Sequence, residues 1–198
     1  MSPAGSKGGI QARRYLLLII DLLNDYFRPQ SPLAAQRDQL TETANRLAAA
    51  FRRAQQPVVW VRQEFAPDLS DAFLRARREN HRVTIAGTSG CELLPELERH
   101  PSDKVLVKKR YSAFFGTDLA ETLAALQPVT LVLAGINTHA CVRMTAIDAY
   151  QRDYDVLIAS DGVASYDAEH HEVTRRYLEA GIARFVPSDE IAKMLATL

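Results

Sequence analysis

Short apolar segments alternate with longer amphipathic segments along most of the chain. The apolar segments are rich in β-branched residues, which is typical of strands buried on both faces of a sheet. The amphipathic segments carry apolar residues at helical spacing and are bounded by capping and turn residues. The pattern therefore predicts six strands, each followed by helical or irregular chain. The predicted strands are residues 15–20, 57–61, 104–108, 131–134, 155–159 and 182–186.

Capping residues support the helices predicted between these strands. Ser31 and Pro32 supply an N-cap and a first helical residue, and the Thr117 hydroxyl supplies another cap. Residues 62–90 are polar and irregular apart from one short helix, and long irregular segments in compact domains often form lids or binding loops. The predicted helices are residues 32–55, 71–80, 92–99, 117–126, 141–150, 167–180 and 188–198.

The alternation of strands and helices indicates a parallel sheet covered on both faces. The predicted fold class is α/β, a Rossmann-like three-layer α/β/α sandwich with a six-stranded, mainly parallel sheet. The chain has 198 residues, of which 47% are hydrophobic, enough to fill one sizeable core. We therefore predict a single domain over residues 15–198, preceded by a disordered N-terminal arm at residues 1–14.

The composition narrows the range of partners. Lys and Arg together number 24, as do Asp and Glu, so bulk charge does not favour nucleic acid or an anionic membrane. The apolar run at residues 16–20 is too short to span a bilayer, and residues 1–14 do not resemble a signal peptide. Two cysteines are too few for a secreted disulfide framework. We expect a cytoplasmic protein whose partner is a small molecule or another subunit.

Three reactive side chains follow predicted strands. Asp21 follows the first strand, Lys108 ends the third, and Cys141 begins the helix after the fourth. Ligands of open parallel sheets bind beyond the carboxyl ends of the strands, so these groups can converge. A carboxylate can take a thiol proton, an ammonium can stabilise negative charge, and a helix start favours a thiolate. Singly, each residue also fits a structural role: a turn residue, a solvated lysine and a packed thiol.

Four segments carry a more specific signal. In sequence they are IIDLLNDYF at 19–27, GTSGCELLPEL at 87–97, KKRYSAFFGTDL at 108–119 and GINTHACV at 135–142. In this order and spacing they resemble the isochorismatase-like cysteine hydrolases. That family includes N-carbamoylsarcosine amidases, ureidoacrylate amidohydrolases, nicotinamidases and isochorismatases. The resemblance extends from residue 15 to the end of the chain and implies the same three-layer fold.

The resemblance implies a role for each of the three strand-end residues. Asp21 corresponds to the general base, Lys108 to the positioning cation and Cys141 to the nucleophile. The family places its lysine two residues before an Arg-Tyr pair, which selects Lys108 over the adjacent lysine. The family also has a cis peptide, expected here between Ile136 and Asn137. The backbone N–H of Asn137, beside that of Cys141, would form an oxyanion hole.

The resemblance implies hydrolysis of an amide or carbamoyl (ureido) C–N bond through a thioester, with release of ammonia or an amine. No cofactor is expected. Nicotinamidases carry an Asp-x-His pair and a further His after the second strand that bind a metal, whereas this chain has no His there before His81. We therefore expect no catalytic metal. Two alternatives stay open: an isochorismatase-type vinyl-ether hydrolase, and a non-catalytic ligand-binding relative.

Several further residues are candidates for substrate binding. Tyr26 and Phe27 follow the general-base loop, and Tyr111 and His139 neighbour Lys108 and Cys141. Arg62, Gln63 and Glu64 leave the second strand toward the same edge. Each also has an ordinary role in a core, a turn or a solvated loop. His170 and His171 are adjacent on a predicted helix and point about 100° apart, which does not suit one shared metal ion. As in the family, a homo-oligomer, either a dimer or a tetramer, is expected.

Overall fold

The computed structural model describes residues 15–198, so the predicted N-terminal arm lies outside the described residues. These residues form one sheet of six strands in the spatial order β3-β2-β1-β4-β5-β6, and every neighbouring pair is parallel. The predicted α/β class and parallel sheet are therefore confirmed. The strands are β1 (Tyr15–Ile20), β2 (Val58–Gln63), β3 (Lys104–Lys108), β4 (Thr130–Ile136), β5 (Asp155–Ala164) and β6 (Arg184–Val186).

Helices cover both faces of the sheet, because successive strand residues point to opposite faces and each face is apolar. On one face, Leu17 and Ile19 pack with α1 and α6; on the other, Leu16 and Leu18 pack with α3, α4 and α5. Within the described residues, no helix combines the length and apolar composition needed to cross a membrane. The helices are α1 (Arg37–Arg53), α2 (Leu74–Glu79), α3 (Leu119–Leu126), α4 (Arg143–Tyr150), α5 (Ala168–Glu179) and α6 (Ser188–Leu195).

The predicted helix at residues 92–99 is wrong. This segment contains no helix: Leu93 forms an antiparallel bridge with Leu23, and the Leu94 N–H donates to the Leu22 carbonyl oxygen at 2.9 Å. Leu94 and Leu97 are buried in the same core cluster as the α1 side chains. Their spacing suits a helical face, but here an extended segment delivers the same two side chains to the core.

Other element boundaries also differ from the prediction. The first predicted helix begins later, because a short 3₁₀ turn at Ala34–Gln36 precedes α1. The last predicted strand is shorter than expected, since β6 begins at Arg184. The fifth strand is longer, because β5 resumes pairing with β4 after a register shift between Leu133 and Gly135. Asp161 lies in β5 between the two stretches that pair with β4, and its side chain accepts hydrogen bonds from the backbone N–H and the hydroxyl of Ser188.

Candidate active site

The order of the strands brings three reactive side chains together at the carboxyl edge of the sheet. Asp21 directly follows β1, and Cys141 lies in the turn after the neighbouring strand β4. Lys108 ends β3, two strands away from β1, a separation of roughly 10 Å at ordinary strand spacing. A lysine side chain is long enough to reach past the end of β2. The exposed fractions are 1% for Asp21, 0% for Lys108 and 5% for Cys141.

Backbone geometry directs the Asp21 carboxylate into the sheet edge. Asp21 adopts a left-handed conformation with φ of 56°, and its own N–H donates to the Val61 carbonyl oxygen at 2.9 Å. The left-handed region is accessible to Asp more readily than to most residues. One carboxylate oxygen accepts a hydrogen bond of 2.8 Å from the Gln63 backbone N–H. The other oxygen lies 2.7 Å from Nζ of Lys108.

The Lys108 ammonium has three close partners. Its Nζ lies near the Asp21 carboxylate, 3.2 Å from the Arg110 carbonyl oxygen and 3.3 Å from Sγ of Cys141. Burial acts to lower the pKa of Lys108, but the negative charge of Asp21 and the sulfur of Cys141 outweigh it and hold that pKa above its usual value. The lysine is therefore charged, and it forms one ion pair and two hydrogen bonds.

Cys141 lies in a single turn of π-helix, Thr138–Val142, which we call the nucleophile turn. This turn leads directly into α4, so the prediction of a cysteine at a helix start is confirmed. The Asn137 carbonyl oxygen accepts hydrogen bonds from the Ala140 and Val142 N–H groups at 3.0 and 3.2 Å. The peptide bond between Ile136 and Asn137, immediately before the turn, is cis.

The environment of Cys141 favours the protonated thiol. Burial raises the pKa of Cys141 to about 12; Lys108 opposes this, while Asp21 adds to it. Loss of solvation is therefore the largest influence on the pKa of the Cys141 thiol. The site can generate a thiolate only by passing the thiol proton to a nearby base, and Asp21 is the carboxylate in contact.

Gln63, one of the three residues predicted to leave the second strand toward this edge, joins the cluster. It is paired in register with Lys108, and its side chain is buried on the same face of the sheet. The Tyr26 hydroxyl donates to Oε1 of Gln63 at 2.5 Å, while Nε2 of Gln63 has no hydrogen-bond partner. Burial, followed by the charge of Asp21, raises the pKa of Tyr26 well above its usual value, so the phenol stays protonated and donates.

Three other candidates lie away from the cluster. Arg62 precedes Gln63 and therefore points to the opposite face of the sheet, where its guanidinium lies 2.6 Å from Glu64 and 3.6 Å from Glu92. Arg62 and Glu64 lie at the carboxyl end of β2, as predicted, and pair with each other there; their part in substrate binding stays a prediction. Phe27 is buried in the core cluster formed with α1, rather than lining the site.

Tyr111 and His139 border the cluster. The Tyr111 ring lies 4.8 Å from that of Phe73 in the segment between β2 and β3, and Tyr111 is about half exposed. His139 is in the nucleophile turn, and its Nδ1 lies 2.5 Å from the Ser165 hydroxyl oxygen. Burial lowers the pKa of His139, so its imidazole is neutral at neutral pH. Contact of these two residues with a substrate stays a prediction.

The described residues offer no site built for a metal ion, since none of their His, Cys, Asp and Glu side chains form a suitable group of three. A groove of about 800 Å³ lies beside Tyr15 and Pro57, at the opposite end of the strands from Cys141. The volume of this groove therefore does not mark the candidate active site. The buried charged residues at the carboxyl edge of the sheet do.

Comparison with known proteins identifies the family that the chain resembles. A family model described as the isochorismatase domain matches residues 15–190. An uncharacterized isochorismatase family protein of Escherichia coli O157:H7 is 30% identical over 194 residues, which cover 94% of this chain and 98% of that protein. A ureidoacrylate amidohydrolase of Methylorubrum extorquens is 32% identical over 168 residues, covering 74% of this chain and 68% of that protein.

Solved structures are similar to the whole sheet and its helices. The crystal structure of N-carbamoylsarcosine amidase from Thermoplasma acidophilum has a TM-score of 0.74 and 30% sequence identity. The match covers 89% of this chain and 97% of the amidase chain. The match therefore covers most of the fold of both chains.

Proposed function

The chain belongs to the isochorismatase family, and we propose that it is a cysteine-dependent hydrolase that cleaves a C–N bond in a small amide or carbamoyl compound. One observation carries this proposal. Lys108 contacts both the Asp21 carboxylate and the Cys141 sulfur in a buried site. A base, a cation and a nucleophile in mutual contact suit nucleophilic catalysis, and a purely structural role gives no reason to bury all three.

In the first half of the proposed reaction, Asp21 takes the thiol proton and the Cys141 sulfur attacks the substrate carbonyl carbon. Lys108 stabilises the charge as it moves from carboxylate to sulfur. The resulting oxyanion accepts hydrogen bonds from the backbone N–H groups of Asn137 and Cys141. The C–N bond then breaks, protonated Asp21 returns its proton to the departing nitrogen, and a thioester on Cys141 remains.

In the second half, Asp21 takes a proton from a water molecule, whose oxygen attacks the thioester carbonyl. The C–S bond breaks, the acid product leaves, and the proton returns from Asp21 to sulfur. Gln63 has an N–H group without a protein partner beside this chemistry, so it is suited to donate to an acceptor atom of the substrate. Tyr26 would hold that amide in orientation.

The proposal is tested by measuring ammonia release across a panel of ureido acids, carbamoyl compounds and simple amides. Cys141→Ala should abolish turnover, and the matched Cys91→Ala variant should retain it, because Cys91 is buried beside Thr88 away from Lys108. Intact-mass spectrometry of the wild type during turnover should detect an acyl adduct on Cys141. Full turnover by Cys141→Ala would refute the cysteine mechanism.

The same variant separates the alternatives. A vinyl-ether hydrolase needs no acyl-enzyme, so Cys141→Ala would keep that activity. A ligand-binding relative would show no turnover on any member of the panel, and its Cys141 would alkylate with iodoacetamide no faster than Cys91. A cytoplasmic location and assembly as a homodimer or homotetramer belong to this proposal; sedimentation of the purified protein measures the second.

A further inference from the structure

A hydrogen bond joins the nucleophile turn to α5. Thr138, the first residue of the turn, is completely buried, and its hydroxyl oxygen lies 2.9 Å from Nδ1 of His171. His171 is partly buried in the first turn of α5, 33 residues farther along the chain. The reaction proposed above uses neither side chain. A fully buried hydroxyl needs a hydrogen-bond partner, and His171 provides it.

Two neighbouring contacts run between the same segments. The Tyr166 backbone N–H donates to Oδ1 of Asn137 at 3.2 Å, and the Ser165 hydroxyl oxygen lies 2.5 Å from Nδ1 of His139. Three consecutive residues, 137–139, are therefore held through their side chains by the corner between β5 and α5. Asn137 immediately precedes the nucleophile turn, and Thr138 and His139 are its first two residues.

The start of α5 is itself well fixed. Asp167 is the N-cap, and its carboxylate accepts a hydrogen bond of 2.8 Å from the His170 backbone N–H. Thr174 and Leu178 bury the inner face of the helix. A side chain on this helix can therefore serve as a fixed reference for the more irregular turn opposite it.

From these contacts we infer that His171 is a positioning residue: through Thr138 it fixes the nucleophile turn so that Sγ of Cys141 stays within reach of Lys108 and Asp21. The inference rests on the proposed function in taking Cys141 as the nucleophile. Displacing a reacting group by about 1 Å can cost on the order of 100-fold in rate. A single hydrogen bond at the start of the turn is thus enough to matter.

The groups facing His171 favour its neutral form. Burial lowers the pKa of His171; Arg175 on the same helix acts in the same direction, while Glu172 opposes it. Across the contact lies His139, which in turn faces His170, Asp167 and Arg143. A neutral ring with its proton on Nε2 accepts the Thr138 hydroxyl proton at Nδ1. An imidazolium ring also carries a proton on Nδ1 and donates to the Thr138 hydroxyl oxygen, so protonation reverses the direction of this hydrogen bond.

Cys141 alkylation by iodoacetamide tests the inference without any substrate, with Cys91 in the same molecule as an internal reference. At pH 8, His171→Ala and Thr138→Val should each slow alkylation of Cys141 roughly tenfold and accelerate amide hydrogen exchange in residues 138–142. The double variant should be no slower than either single variant, because both remove the same contact. His100→Asn, at an exposed histidine before β3, should match the wild type.

The conservative variant His171→Asn distinguishes positioning from general stability. Its amide can meet the Thr138 hydroxyl but does not titrate, so alkylation should stay within about threefold of the wild type at pH 8. Unchanged alkylation and exchange in His171→Ala would overturn the inference, as would additive effects in the double variant. Because the alkylation and exchange measurements use no substrate, their results can be interpreted even if the ammonia assay detects no turnover.

Discussion

Lys108 has no exposed surface, yet it carries a charge at the centre of the site. Removing an ion from water is costly, and the Asp21 carboxylate offsets this only while the two remain in contact. The contact between Asp21 and Lys108 therefore contributes to the stability of the folded protein as well as to the proposed reaction. Replacing each residue separately measures the contribution to stability.

Lys108→Met should lower the free energy of unfolding by about 3 to 5 kcal/mol, because it leaves the Asp21 carboxylate buried without a cation. The double variant Asp21→Asn, Lys108→Met should recover much of that loss, since neither side chain is then charged. Urea unfolding at pH 7 measures both. Equal stability of the single and the double variant would show that the buried charge is compensated elsewhere.

At the residue scale, sequence reasoning placed the three strand-end groups at one edge and named Gln63 only as one of three consecutive residues after the second strand. Strand alternation separates the three: Gln63 shares its face with Lys108, whereas Arg62 points to the opposite face and pairs with Glu64. The sequence prediction ends β2 at residue 61, two residues before its observed end, so it gives no basis for choosing among them.

At the element scale, helices and strands with strong periodicity were predictable, and segments that owe their shape to long-range contacts were not. Residues 92–99 have helical spacing but pair with the loop after β1, through the bridge between Leu23 and Leu93. Likewise Gly162, a residue typical of turns, lies inside β5, because that strand resumes alongside Gly135 and Ile136. No local pattern reports such pairings.

The pairing of β1 with β4 depends on Gly135. Its φ is 110°, and a Cβ atom there would lie 2.0 Å from the Ile20 carbonyl oxygen. Gly135→Ala should therefore destabilise the protein by more than about 4 kcal/mol or prevent folding, because backbone atoms cannot move aside cheaply. Soluble yield and urea unfolding report the effect.

The matched control for this variant is Gly116→Ala. Gly116 also has a positive φ, of 65°, but no atom lies within 4 Å of its Cβ position. It should cost only about 1 to 2 kcal/mol, the backbone penalty alone. If both variants were equally stable, the close approach of Gly135 to β1 would not limit the sheet.

At the scale of the whole molecule, the parallel sheet was predictable but the order of its strands was not. Alternating strands and helices indicate parallel pairing. The order β3-β2-β1-β4-β5-β6 places β1 beside β4 and so brings Asp21 beside the nucleophile turn. The two strands are more than 100 residues apart in the sequence. Local hydrophobic periodicity predicts each strand but does not predict which strands pair.

Global stability should decline in alkaline solution. The folded protein holds the protons of Cys141, Lys108 and Tyr26 to higher pH than ordinary side chains do. The unfolded chain releases them first, so it binds fewer protons and stability falls as pH rises. Between about pH 7 and pH 10, the wild type should lose about 1 to 2 kcal/mol more than Cys141→Ala. Parallel stability curves for the two proteins would contradict this.

The burial of the Asp21 and Lys108 pair also separates the site from the ions of the surrounding solution. Mobile counter-ions weaken attractions between exposed charges over distances of about 8 to 10 Å at ordinary ionic strength, but they cannot enter a contact that has almost no surface. Surface pairs such as Arg75 with Glu79 weaken as salt is added. The proposed reaction at Cys141 takes place beside this buried ion pair, so its rate should depend little on the salt concentration of the solution.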